Sequence, residues 1–471
     1  MELCLNEKGI AAKTPAWIKK FFYSDAYLVV LAVLIFAAWY TKMPIVAFLP
    51  GSLIAMVALI CIDDFTPMLP IVLYIPLIFA TKDPAPYWIQ LLGAIPLVAG
   101  LIFHFIYYRP KKRKMRMIIP QLLIAAAMLL GGLGVIPHEN YMGTLAYNLM
   151  LGVLPLAFYL LNGLYSKENS FVGFGKYFAK VSVWYGVLLG AEVIAMYFIK
   201  KPPLDKLGSG FAIDLGWGID NNVATLLLLA SPMAFYLAST EKQKVFYTIL
   251  GILNFAFTAI TFSRGGILFG ALGALLTFAF AVKTNHGKTR LKILLPCVIA
   301  LVALIAVYIA FMDDVNAHVI KLVNIDDKGV SGRDKLYAEA IDAFRSNPIF
   351  GVGLGFDGVY YNQPEGMYFY WFHSTLFQIV GCTGIVGIVA FGIFYLTRYG
   401  IVLRRIELNR FAQFALIGFI CFEGYSLMDT GTFIPYPIMV YAMLLNQIVE
   451  FTNDKIGELK KEGAKPNYSL I

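Results

Sequence analysis

The sequence predicts an all-α fold: a polytopic integral membrane protein of about 14 transmembrane helices, with a large extracytoplasmic loop, residues 313–371, that contains short helices. Three observations carry this. Hydrophobic residues make up 59% of the 471 and charged residues only 14%, against roughly 25% charged in a soluble domain. The missing charge is concentrated into apolar blocks, and about 20 apolar residues at 1.5 Å rise cross a hydrocarbon core. The basic residues gather in alternate short loops, the pattern that orients multi-pass proteins.

Taken in chain order, the apolar run Tyr27–Tyr40 follows Lys13, Lys19 and Lys20 in the manner of a signal anchor. No small-residue cleavage site follows, so it is expected to be retained as the first helix. The expected spans are 25–40, 44–62, 67–80, 88–108, 117–136, 141–165, 177–199, 222–239, 245–262, 265–282, 292–312, 372–398, 411–428 and 433–450. The third holds Pro67, Pro70 and Pro76 and is expected to be kinked or re-entrant. Only Ser263–Gly266 separates the ninth from the tenth.

More than two thirds of the 38 Lys and Arg fall on the side of the N-terminus, with Arg109–Arg116, Lys283–Lys292, Arg398–Arg410 and Lys455–Lys465. That side is expected to be cytoplasmic. The Ser263–Gly266 turn and the long loop Asp313–Trp371 then face outward. The organisation expected is N-terminal helices over 1–209, a core over 210–400, C-terminal helices over 401–451 and a solvated cytoplasmic tail over 452–471.

Several function classes are disfavoured. The net charge of +9 lies in short loops rather than on a basic face interleaved with aromatics, so nucleic acid is not a partner. The five cysteines show no CxxC or Cys/His spacing, which argues against a disulfide framework or a zinc site. No repeat relates the two halves as in an inverted-repeat transporter.

Chemistry concentrates in three places. Arg264, flanked by apolar runs and followed by Gly265 and Gly266, offers a guanidinium, nearby amides and a helix N-terminus to a phosphate. Its plainer reading is an interfacial arginine on lipid headgroups. Arg333 lies in the first turn of an amphipathic helix capped by Ser331 with Asp334 three residues on, where the helix dipole disfavours a cation. That hints at an anionic partner, unless Arg333 simply pairs with Glu339 or Asp334. His373 opens an apolar helix, His373–Leu396, beside Tyr368–Phe372, at the outer headgroup level. There it is either a structural histidine or a base for a hydroxyl proton. The glycines of Asn347–Gly355 follow no strand, so they suit a turn that lays backbone against the membrane or a ligand better than a dinucleotide loop.

Together these segments resemble the O-antigen ligase superfamily, which also holds O-antigen polymerases and certain protein O-oligosaccharyltransferases. The resemblance rests on FSRGG at Phe262–Gly266, on SGRDKLYAEAIDAF at Ser331–Phe344 running into NPIFGVGLG, and on HSTLFQIVGCTGIVG at His373–Gly387. Asn221–Asn222–Val223–Ala224 ahead of Ser231–Pro232 adds to it. It implies transfer of a glycan from undecaprenyl diphosphate to an acceptor hydroxyl at the outer face of the bacterial cytoplasmic membrane. Arg264 and Arg333 are then diphosphate ligands and His373 the catalytic base, with Gly265, Gly266, Asn221 and Asn222 beside the substrate. No metal or cofactor is implied, and the acceptor is a lipid, the wall or a growing glycan. A transporter of the lipid-linked sugar, working through Glu192, Glu423 or Asp429, is the alternative of a different class. A structural scaffold is another.

Overall fold

The computed structural model describes residues 9–80, 89–167, 171–201, 213–312, 316, 332–360 and 369–461. Among the described residues it is helical throughout, with a single isolated bridge between Asp214 and Ile219 and no strand. The helices are α1 Asp25–Thr41, α2 Ile45–Cys61, α3 Thr66–Ile78, α4 Gln90–Tyr107 and α5 Ile118–Leu130. Then come α6 His138–Tyr165, α7 Phe174–Lys200, α8 Asp220–Thr240, α9 Lys244–Ile260 and α10 Arg264–Thr284. Last are α11 Gly287–Ala310, α12 Arg333–Ser346, α13 Thr375–Leu403, α14 Arg410–Ser426 and α15 Val440–Lys461.

Every expected apolar segment overlaps one of these helices, and α12 is the amphipathic helix of the long loop. Seven helices are long and apolar enough to cross a membrane, and the bent pair Ala16–Phe22 with α1 makes an eighth. The chain is thus a multi-pass membrane protein. The expected count of about 14 exceeds these because α2, α3, α5, α9 and α14 each fall short of the 18 residues a clear span needs. The last helix, α15, is instead polar within, burying Asn446, Gln447 and Glu450. α3 has the expected kinks, with 3₁₀ turns at both ends and Pro67, Pro70 and Pro76 buried.

α8 and α15 form the centre, nearly all of their side chains being buried, whereas α11 exposes most of its apolar surface as a lipid-facing helix does. α13 positions the site, and it is broken. Gly384 has φ 59, outside the helical region, and interrupts the helix two to three turns after its start. The amides left without helical partners are met by the loop after α12: Ile385 N–H donates to Pro348 O at 2.8 Å and Val386 N–H to Ile349 O at 3.1 Å. The loop gains in return, since Val352 N–H donates to Gly381 O and Gly353 N–H to Cys382 O, both at 2.9 Å. Broken helices survive in membranes only where protein satisfies their backbone. This gives the glycine-rich run its physical role. Gly351, with φ 67, lies so close to Cys382 and Thr383 that a Cβ would meet their backbone at 2.4–2.5 Å. The backbone is laid against α13 rather than against lipid or ligand.

Four expectations change. His373 precedes α13, which starts at Thr375. Ser331 lies outside the described residues, and Gly332, with φ 72, holds the N-cap position of α12 without a side-chain cap. Residues 452–461 are no solvated tail but the last turns of α15, with Thr452, Asn453, Ile456 and Gly457 buried. Arg398 is not a loop residue. It sits inside α13, fully buried, with Nη2 2.5 Å from Glu423 Oε1 of α14 and a box of Phe394, Tyr395 and Phe419 around it. A charge in a span is rare unless paired in this way.

Replacing Gly384 tests the break. A Cβ there would meet Pro348 O at 2.6 Å and Gly351 N at 2.7 Å, in a backbone region that disfavours L side chains, whereas Gly392 of the same helix has open space. Gly384→Ala is expected to destabilise the fold by at least about 1–3 kcal/mol, seen as a lower melting temperature in detergent. Gly392→Ala is expected to leave it unchanged or slightly raised.

Candidate functional site

The site is built where one end each of α8, α10, α12 and α13 meets the turn after α14. Asp429, in that turn and buried, is its hub. Its Oδ1 accepts the Thr430 N–H at 2.7 Å and its Oδ2 the Tyr425 hydroxyl at 3.2 Å. His373 Nδ1 faces the same Oδ1 at 3.8 Å. The Asp429 carbonyl accepts the Thr375 N–H at 3.0 Å, which ties the start of α13 to this turn. Burial alone would raise the Asp429 carboxyl. The hydrogen bond and charge of His373, the Thr430 amide and the nearby Arg333 charge outweigh it and hold the group below its ordinary value.

His373 is about one-third exposed in its side chain and adopts φ 51, a left-handed backbone uncommon for a non-glycine residue. Local structure holds it there. Phe372 N–H donates to Gln378 Oε1 at 2.9 Å, and the His373 carbonyl accepts the Tyr337 hydroxyl of α12 at 3.3 Å. Tyr337 itself stacks on Phe377 of α13 at 4.2 Å between centroids.

Arg333 reaches the same turn from the first position of α12, its Nη1 donating to Met428 O at 2.5 Å. It pairs with neither of the acids that the plainer reading offered it. Glu339 instead accepts the Val359 N–H at 2.7 Å and the Tyr370 hydroxyl, which organises the loop beyond α12.

Arg264 is the first residue of α10 and is exposed. Among the described residues none pairs with its guanidinium. Its neighbour Ser263 is the N-cap: Oγ accepts the Gly266 N–H at 3.3 Å, donates to Asn221 Oδ1 at 2.8 Å and lies 2.9 Å from the Tyr425 hydroxyl. A polar chain thus runs Asn221–Ser263–Tyr425–Asp429–His373. The glycines serve packing. A Cβ on Gly265 would meet the Tyr425 ring at 2.3 Å and one on Gly266 the Ala224 Cβ at 2.7 Å. The Gly266 amide is committed to Ser263 rather than open to a phosphate. Asn222 caps its own helix, accepting the Ile219 N–H at 3.0 Å.

Of the residues picked from sequence, His373 is brought to Asp429 directly and Arg333 to the adjoining Met428 carbonyl, while Ser263 and Tyr425 link Asn221 and the Arg264 turn to Asp429. The remaining acids are engaged elsewhere, Glu423 with Arg398 and Glu192 with the Trp217 indole N–H at 2.8 Å. Ser263 and Tyr337 lie within segments that carry the resemblance but were not expected at the site, and Tyr425 carried no sequence signal. Asp429 did, as an acid at the outer end of an apolar segment that could pair with an active-site arginine, and the structure turns it to His373.

Residues 249–392, just under a third of the chain, match the O-Antigen ligase family. No curated protein matches the chain. The matched stretch contains Arg264, Arg333 and His373, so this part of the chain is similar to the O-antigen ligase family. Asn221, Tyr425 and Asp429 lie outside the match and join the site through the fold.

The carboxylate at the hub has a pH signature. Its folded pKa is depressed, so its contribution to stability is complete above the ordinary aspartate value of about 3.9 and is lost as pH falls through the lower folded value. Asp429→Asn is expected to flatten that acid limb of the melting-temperature profile while lowering stability near neutral pH.

Proposed function

We propose that this chain is a membrane glycosyltransferase. It takes a glycan from undecaprenyl diphosphate and passes it to an acceptor hydroxyl on the outer face of the bacterial cytoplasmic membrane. The O-antigen ligase match supports a lipid-linked glycan as substrate in general terms. What supports the site most is the convergence of His373 on the ionised Asp429 and of Arg333 on the adjoining Met428 carbonyl, with Arg264 one residue from a hydrogen-bonded branch of the same network. The wider setting is about 14 spans with both termini cytoplasmic, the core over 210–400 and the long loop outside.

The chemistry follows from residue types. With Nδ1 turned to Asp429, Nε2 of His373 takes the acceptor's proton, and Asp429 steadies the imidazolium that forms. The acceptor oxygen attacks the anomeric carbon from the side opposite the diphosphate, and the carbon–oxygen bond to the diphosphate breaks with inversion. Bonding electrons leave with the diphosphate, and the guanidinium groups of Arg264 and Arg333 meet that growing charge. A lipid or wall acceptor makes the reaction ligation, and a growing glycan makes it polymerisation. Transport is the weaker reading because Glu423 is neutralised by Arg398 and Glu192 is bonded to Trp217.

Complementation of cells lacking the native gene tests this, with surface polysaccharide read on gels and membrane levels of each variant checked alongside. Arg264→Ala, Arg333→Ala and His373→Ala are expected to reach the membrane and restore no product. Asp429→Asn is expected to lower the rate by about 10²–10⁴. Full restoration by His373→Ala and both arginine variants would overturn the assignment. The banding separates a lost attachment from a lost chain length.

A further inference from the structure

α13 carries the site just described at its Thr375 end and a second, chemically different site at its Leu403 end. There the segment before α5, the turn after α13 and the last turns of α15 enclose a cleft of about 360 Å³. Among the described residues nine basic side chains line it against two acidic ones, Asp454 and Glu458. Asp454 already bridges Arg116 at 3.0 Å and Arg404 at 3.2 Å, and Glu450 behind it holds Arg116 at 2.6 Å. So many like charges in so small a volume repel one another and draw in an anion.

The cleft is also shaped. Arg113 lies over the Phe451 ring at 3.9 Å and near Phe174 at 5.4 Å. Arg405 donates to Asn453 O at 2.6 Å and rests against Gly457, where a Cβ would strike its guanidinium at 2.5 Å. Arginines planted on aromatic rings and backbone are fixed in place rather than waving in solvent. The setting favours a lipid over a soluble anion. The cleft joins the apolar rings of Phe174 and Phe451 to the cations of loops expected on the cytoplasmic side, and basic clefts between helices there suit phospholipid phosphates.

We infer that this cleft is a binding site for the phosphate headgroup of one anionic phospholipid. It lies across the membrane from the transferase site and is independent of that assignment. A bound lipid would clamp the start of α5, the α13–α14 turn and the end of α15 together.

The test uses the full chain in nanodiscs of phosphatidylcholine with or without phosphatidylglycerol, counting retained lipids by native mass spectrometry. The unaltered protein is expected to keep one phosphatidylglycerol. Lys112→Gln with Lys114→Gln, both exposed and lining the cleft, is expected to weaken its retention by roughly tenfold or more, each basic residue near an anionic surface being worth about fivefold. Lys283→Gln with Lys288→Gln removes the same charge near the α10–α11 turn, away from the cleft, and is expected to change nothing. Equal losses in both pairs would mean general attraction to the surface and would overturn the site, as would full retention by the cleft pair. Inorganic pyrophosphate is then added to the detergent-solubilised protein. Displacement of the lipid by pyrophosphate at comparable concentration would assign the cleft to a soluble anion and refute a lipid site.

Discussion

The site depends on one buried charge. A carboxylate held out of water is costly unless cations and donors surround it, and Asp429 is held ionised by the groups that face it. Arg333, His373, Tyr425 and the Thr430 amide come to it from α12, the start of α13 and the α14 turn. Each would otherwise be placed by its own helix alone. The carboxylate therefore sets the mutual geometry of the cationic and basic groups and fixes which nitrogen of His373 faces inward.

A second constraint governs the scaffold. In a bilayer every backbone polar group needs a partner within the protein. The break of α13 at Gly384 would expose amides, and the Pro348–Gly353 loop closes it by exchanging hydrogen bonds in both directions. That exchange requires backbones to approach closer than side chains allow, so Gly351, Gly353 and Gly384 carry positive φ and near-contact geometry. The same loop fixes the far end of α12 against α13, while Tyr337 against His373 fixes its near half. Placement of the candidate site and helix repair are thus parts of one substructure.

The helices were legible from apolar runs and charge alternation because those patterns are local. So were Arg264 and His373, each a polar residue at an apolar edge, and Arg333, a cation set against the dipole of an amphipathic helix. The partner of each was not. Arg333 had two acids within two helical turns and yet bonds to the Met428 carbonyl, a contact set by tertiary packing. Gly265 and Gly266 suggested open amides, yet the Tyr425 ring and Ala224 occupy that space. Arg398 looked like a loop charge because Glu423, its partner, is 25 residues away in sequence. The end of α15 looked like a tail because its charged residues hide the pairing of Asp454 with Arg116 and Arg404 and the burial of Ile456 and Gly457.

A transferase and a transporter of the same substrate differ in the fate of one bond. The direct measurement is to reconstitute the purified chain in sealed vesicles, supply undecaprenyl-diphosphate-linked glycan and an acceptor on the side of His373, and follow the diphosphate. Release of undecaprenyl diphosphate in step with acceptor glycosylation, lost in His373→Ala, is the expected result. Passage of the glycan across the bilayer with its diphosphate bond intact, and equally in His373→Ala, would contradict it.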